Sequence, residues 1–163
     1  MARIENKREK IKNEKPSNEK QGNEKKINVV VVEDDVQYQR LLGEMLRELG
    51  YTPYLAATGW KGLKECQRIH PSLVLTDIFM PYLDGVKFIE MIRQSEVYIP
   101  IIAITGGLSG ANKQQSLQSA WLRGADATLS KPIDIDDLQE AIEKLLKTHH
   151  AARQSNEDGE FNL

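Results

Sequence analysis

Three acidic residues in a row, Glu33-Asp34-Asp35, follow a run of four valines, Val29 to Val32, and form the first group in this sequence equipped for chemistry. Three further apolar runs end at reactive side chains: Leu73 to Thr76 at Asp77, Pro100 to Ile104 at Thr105, and Ala127 to Leu129 just before Lys131. Carboxylates drawn together repel one another and stay ionised only if a cation offsets the repulsion. A hard divalent ion does so. Mg²⁺ in particular is held by one or two carboxylates plus water, which leaves coordination positions for phosphate oxygens. An ammonium and a hydroxyl in the same place suit a phosphoryl group better than a bare metal. The set therefore points to phosphoryl chemistry, provided the fold brings these strand ends together.

The elements that must do so begin at Ile27. From there short β-branched runs alternate with helical periodicity, the signature of a parallel sheet with crossover helices. Four consecutive valines fit a strand buried on both faces. Leu41, Leu42, Met45, Leu46 and Leu49 then mark a first helix that stops at Gly50. Tyr51 to Ala56 reads as the second strand, about Thr58 to Arg68 as the second helix, and Leu73 to Thr76 as the third strand. Pro81 to Gly85 is a turn, Val86, Phe88, Ile89 and Ile92 mark a third helix, and Pro100 to Ile104 is a fourth strand. Leu117, Ala120 and Trp121 suit a fourth helix ending at Gly124, with a last strand at Ala127 to Leu129. Asp134 and Asp137 open a fifth helix whose apolar face is Leu138, Ala141, Ile142, Leu145 and Leu146. In an open sheet of this kind ligands bind beyond the carboxyl ends of the strands, where the reactive residues stand.

Composition narrows the classes further. A chain of 163 residues with 40% hydrophobic residues has room for one domain and a real core. A net charge of -2 gives no bulk reason to expect nucleic acid or an anionic membrane as partner. The single cysteine, Cys66, excludes an intrachain disulfide and points to a reducing compartment, so a cytoplasmic protein is expected. Residues 1–26 hold nine Lys/Arg and five Glu, and Asn-Glu-Lys recurs in them every five residues, so they read as a disordered, charged, low-complexity tail. Neither a signal-peptide apolar run nor a membrane-spanning one is present. The domain is placed at residues 27–147, and residues 148–163, polar and without an apolar face, read as a loose C-terminal tail.

At the reactive residues the sequence closely resembles the receiver domain of bacterial two-component response regulators. The resemblance covers about Ile27 to Lys147 and rests on four motifs in order: VVVVEDD, VLTDIFMPYLDG, IIAITGG and GADATLSKPI. It implies a flavodoxin-like α/β fold, a five-stranded parallel sheet in the order 2-1-3-4-5 with helices on both faces. It implies that Asp77 is the phosphoacceptor, that Asp34 and Asp77 bind Mg²⁺ directly, that Glu33 reaches it through water, and that the Phe79 carbonyl completes the protein ligands. Thr105 and Lys131 resemble the pair that contacts the phosphoryl oxygens. The implied partners are a sensor histidine kinase or a histidine phosphotransfer protein, and a downstream protein target. The chain would then be a stand-alone module that catalyses only its own phosphorylation and dephosphorylation. The family places a tight turn at Lys131-Pro132, for which a cis bond is expected. It also places Phe79 and Gly107 beside the path of the water that hydrolyses the acyl phosphate. One position departs from the family: Thr128 stands where an aromatic rotamer switch is common.

The remaining notable residues read as structural. Asp35 suits a solvated helix start rather than a ligand. Trp60 is expected to pack at the edge of the second helix, Trp121 to face the core, and Cys66 to be a buried small hydrophobe. Around His70, His149 and His150 the sequence shows no acidic pattern of a metal or phosphohistidine site, so neither role is expected of them. A different class of function, a Mg²⁺-dependent small-molecule phosphatase using Asp77 as nucleophile, remains the alternative, and multiple turnover on a phosphoester would establish it.

Overall fold

Successive side chains of a strand point to opposite faces of its sheet, so four buried valines in a row require a packed layer above and below. Both layers are present in the computed structural model, which describes residues 26–95, 97–106, 118, 121 and 123–157. The elements run β1 (Asn28–Val32), α1 (Val36–Glu48), β2 (Thr52–Ala56), α2 (Gly59–Ile69), β3 (Leu73–Asp77), α3 (Gly85–Arg93), β4 (Ile101–Thr105), β5 (Ala127–Ser130) and α4 (Ile135–Glu157). The strands form one parallel sheet in the order β2-β1-β3-β4-β5. This is the expected flavodoxin-like order. Val30 and Val32 join Val74, Ile101, Phe88, Ile89 and Ile92 in a core on one face. On the other, Val29 and Val31 join Leu42, Leu46, Leu75, Ile102, Leu138 and Ile142. Cys66 is buried in the first of these cores, as expected.

The helices start where the chain supplies a side-chain oxygen for their free N–H groups. Asp35 accepts from Gln37 N at 2.8 Å and Tyr38 N at 3.0 Å, Thr58 from Lys61 N at 3.2 Å, and Asp84 from Lys87 N at 2.8 Å. Gly50, at φ +85°, follows α1 as the expected stop. The β4–β5 edge of the sheet is tied at its amino end by Asp126, whose Oδ2 accepts from Ile101 N at 2.7 Å and pairs with Arg93 Nη2 at 2.6 Å.

Three expectations are corrected. Trp60 is 59% exposed and stands largely in solvent rather than packed at its helix edge, and Trp121 at 51% does not face the core. The C-terminal segment is not loose from residue 148: α4 continues through Glu157. Sequence periodicity missed this because residues 148–157 carry no apolar stripe. Propagating a helix already nucleated by a buried face needs none, only the absence of Gly and Pro. The His149 ring also stacks on Tyr98 at a centroid separation of 5.2 Å. Residues 1–25, Gly107, Gly110, residues 158–163 of the expected C-terminal tail, and the expected fourth helix except Gln118, Trp121, Arg123 and Gly124 lie outside the described residues. Among the described residues no helix is long and apolar enough to cross a membrane.

Candidate functional site

Strand register brings the reactive residues to one edge. Val32 stands level with Thr76, Asp77 with Ile104, and Thr105 with Ser130, so Glu33, Asp77, Thr105 and Lys131 emerge side by side at the carboxyl ends of four strands. Glu33, Asp77 and Thr105 are buried while Asp34 is exposed at the mouth. Carboxylate oxygens of Glu33, Asp34 and Asp77 lie within 4.8 Å of one another. Lys131 reaches into this group, its Nζ 2.5 Å from Asp77 Oδ2 and 2.7 Å from Glu33 Oε2. The first contact is an aligned hydrogen bond and the second is a charge contact without that alignment. Asp77 Oδ1 accepts from Phe79 N at 2.9 Å. The Lys131-Pro132 bond is cis.

Two glycines let the backbone come this close. A Cβ on Gly85 would lie 1.9 Å from the Asp77 carbonyl oxygen, so only glycine fits where α3 begins beneath the phosphoacceptor candidate. A Cβ on Gly106 would lie 2.5 Å from Lys131 Cδ, so the lysine stem runs along bare backbone.

Electrostatics distinguish the members of the set. Burial pushes the Glu33 carboxyl above the usual carboxylate range, and the neighbouring Asp77 charge adds to this, although the Lys131 contact pulls it back down. Burial alone would lower the Lys131 ammonium, but its bonds to Asp77 and Glu33 outweigh that and hold it above its ordinary value. By formal charge, three carboxylates against one ammonium leave an excess of two negative charges, which a divalent cation matches. Thr105 Oγ1 is buried and finds no hydrogen-bond partner among the described residues. A buried hydroxyl without a partner is costly, and a phosphoryl oxygen would satisfy it. The donors present therefore fit both Mg²⁺ and a phosphoryl group.

All the side chains expected from the sequence to form the site, Glu33, Asp34, Asp77, Thr105 and Lys131, stand at this edge, with the Phe79 backbone two residues after Asp77. Asp35 is the N-cap of α1. His70 caps the end of α2 in the left-handed region. The sequence reading passed over Tyr38, whose ring lies under Lys131 Nζ at 4.4 Å and whose hydroxyl accepts from Ile133 N at 3.1 Å. The available signal was its place in the first turn of α1, three residues after the Asp35 cap.

Comparisons with known proteins agree with this geometry. A family profile described as "Response regulator receiver domain" matches residues 29–143. The sensor histidine kinase RcsC of Escherichia coli strain K12 is 33% identical over 114 residues, covering 70% of this chain and 12% of that protein. The transcriptional regulatory protein ZraR of Salmonella typhimurium is 36% identical over 121 residues, covering 74% and 26%. The chain thus spans about an eighth to a quarter of the length of these curated relatives. Among solved structures, a CheY-like response regulator receiver domain protein from Methanospirillum hungatei superposes with a TM-score of 0.71 at 26% identity, covering 78% of this chain and 98% of that one. NtrX from Brucella abortus in complex with ADP superposes at 0.74 with 26% identity, over 80% and 29%. With the strand order, the acidic cluster and these matches in agreement, this chain belongs to the response regulator receiver domain family.

Proposed function

We propose that Asp77 accepts a phosphoryl group from a phosphohistidine on a sensor histidine kinase or histidine phosphotransfer protein. In this reading the chain is a cytoplasmic signalling module that promotes only its own phosphorylation and dephosphorylation, and acts by binding a protein target or passing the group onward. The observation that carries the proposal is a buried carboxylate 2.5 Å from an ammonium, beside a buried threonine hydroxyl that has no partner among the described residues. An Asp77 oxygen forms the new O–P bond as the P–N bond to the donor imidazole breaks, and the released electron pair takes up a proton on the imidazole nitrogen. Phosphoryl transfer of this type places charge on the equatorial oxygens, so the site works mainly by positioning and neutralising. Lys131 and Thr105 meet that charge from β5 and β4. Asp34, Asp77, the Phe79 carbonyl and, through water, Glu33 would hold Mg²⁺, which supplies further positive charge when bound.

The acyl phosphate carries about -1.5 to -2 charge in a packed site where the free carboxylate carried -1, and Thr105 is drawn toward it. Thr105 is the last residue of β4, so its displacement carries the segment that follows and changes the surface a partner meets. With Thr128 half-buried on β5, level with Ala103, this response does not depend on an aromatic side chain at that position.

Incubation with Mg²⁺ and acetyl phosphate should add one phosphoryl group per chain, mapped to Asp77 by peptide mass spectrometry, and chelation of divalent ions should suppress it. Label on another residue, or undiminished labelling after chelation, would refute the proposal.

The lifetime of the product gives a second expectation. The Phe79 side chain, 45% exposed beside the phosphoacceptor, offers no hydrogen bond to an attacking water, and in-line attack depends on a positioned nucleophile. Hydrolysis of the acyl phosphate should therefore be slow, and Phe79→Asn, whose amide can orient water, should speed it several-fold. Decay in Mg²⁺ after removal of the donor measures this; an unchanged or slower rate in the variant rejects it.

A further inference from the structure

Lys131 must stay aimed while one of the two carboxylates that anchor it is modified. Its ammonium rests against Asp77 Oδ2 and Glu33 Oε2. Once Asp77 carries a phosphoryl group, that anchor is part of an acyl phosphate and no longer a free carboxylate. Glu33 is then the one carboxylate of the pair left unchanged, and Tyr38 of α1 supplies a second partner whose chemistry does not change in the reaction.

Tyr38 touches the β5–α4 turn at two points. The face of its ring lies 4.4 Å from Lys131 Nζ, well inside the range of a cation–π contact. Its hydroxyl oxygen accepts from Ile133 N at 3.1 Å, two residues past the lysine and beyond Pro132, which has no N–H to donate. The lysine stem also lies against Gly106, where a Cβ would come within 2.5 Å of Cδ. Lys131 is thus bounded by bare backbone along its stem and by an aromatic face at its ammonium. Tyr38 is itself fixed: its backbone N–H donates to the Asp35 cap at 3.0 Å, and its ring packs against the core cluster of Val29, Val31 and Leu138.

We infer that Tyr38 is a positioning residue for phosphoryl transfer, its ring holding the Lys131 ammonium over the phosphoacceptor and its hydroxyl pinning the turn at Ile133. The inference rests on Asp77 being the phosphoacceptor. The two contacts are separable by substitution. Tyr38→Phe keeps the ring and loses the hydroxyl, whereas Tyr38→Met fills a similar volume in a helix without a π face.

The experiment compares initial rates of labelling by acetyl phosphate in Mg²⁺. Tyr38→Met should be slower by about tenfold, the scale of a part-buried cation–π contact, while Tyr38→Phe recovers most of the parent rate. In a Lys131→Ala background Tyr38→Met should cause no further loss, because residues acting through one another are not additive. A readout without any variant is the proton spectrum of the parent protein, where the Lys131 ε-methylene should be shifted upfield by the ring beneath it. That measurement tests the inference even if Tyr38→Met does not fold. Equal rates for Tyr38→Met and the parent, a full further loss on top of Lys131→Ala, or an unshifted ε-methylene would each overturn this inference alone. A parent chain that takes no label overturns it together with the reading of Asp77.

Discussion

Asp77→Asn should take up no phosphoryl group from acetyl phosphate or from a phosphorylated kinase, and should melt no lower than the parent. The first half follows from chemistry: a carboxamide oxygen is too weak a nucleophile to displace a phosphoryl leaving group. The second half follows from the charges. Asp77 stands with Glu33 and Asp34 in a group of three acids within 4.8 Å, and its charge is one of the causes that push Glu33 upward. Removing that charge relieves repulsion, and Lys131 keeps Glu33 as a partner at 2.7 Å. A function-bearing carboxylate of this sort is held in place at some expense to stability, whereas a strand-end cap would contribute to it. Intact-mass measurement and thermal melting check both halves on one sample. Persistent labelling removes the central assignment, and a melting temperature lower by more than about 5 °C would mark Asp77 as structural.

Lys131→Met should slow labelling by at least about a hundredfold, the usual consequence of removing one preorganised donor to developing charge. Its effect on stability should depend on pH. Loss of the ammonium leaves Glu33 and Asp77 facing each other with no cation between them. Breaking a fully buried pair costs about 3–5 kcal/mol, and because the Lys131 side chain is one-fifth exposed a smaller cost of about 2 kcal/mol is expected. Glu33 decides the direction. A carboxyl whose folded-state pKa is raised binds its proton more tightly in the native chain, so its contribution is complete below the unfolded value and lost as pH rises through the folded one. In the parent the Lys131 contact limits that rise; in the variant nothing of the kind does, and the folded value moves higher. The deficit relative to the parent should therefore be largest near neutral pH and shrink toward about pH 5, where a proton replaces the missing ammonium. Added Mg²⁺ should narrow it at neutral pH, since the acid cluster can take that cation instead. Urea melts of both proteins at two pH values, with and without Mg²⁺, test this. A deficit that grows on acidification contradicts the charge argument.

Much of this fold was legible because burial on both faces leaves a plain trace in sequence. Val29 to Val32 and Ile101 to Ile104 could not be amphipathic strands or exposed helices, and the residue after each run had to lie at a strand end. The caps Asp35, Thr58 and Asp84 were equally local, since each satisfies N–H groups within three residues of itself. These features fixed where Glu33, Asp77, Thr105 and Lys131 sit along their elements. The strand order came instead from the resemblance carried by the four motifs.

What local pattern did not show lies in contacts between distant elements. The exposure of Trp60 and Trp121 depends on which neighbours reach those helix faces, and composition pointed the other way. The continuation of α4 past Lys147 depends on helix propagation and on a ring stacked against Tyr98, some fifty residues earlier in the chain. Sequence alone determined the reactive residue types and their placement at strand ends, because backbone hydrogen bonding and burial act over a few residues. Only the tertiary structure decided that Lys131 bridges Asp77 and Glu33 and rests on Tyr38, more than ninety residues before it. Such contacts exist because the parallel sheet closes in one order and register, and charge and ring interactions fall away within a few ångströms of that geometry.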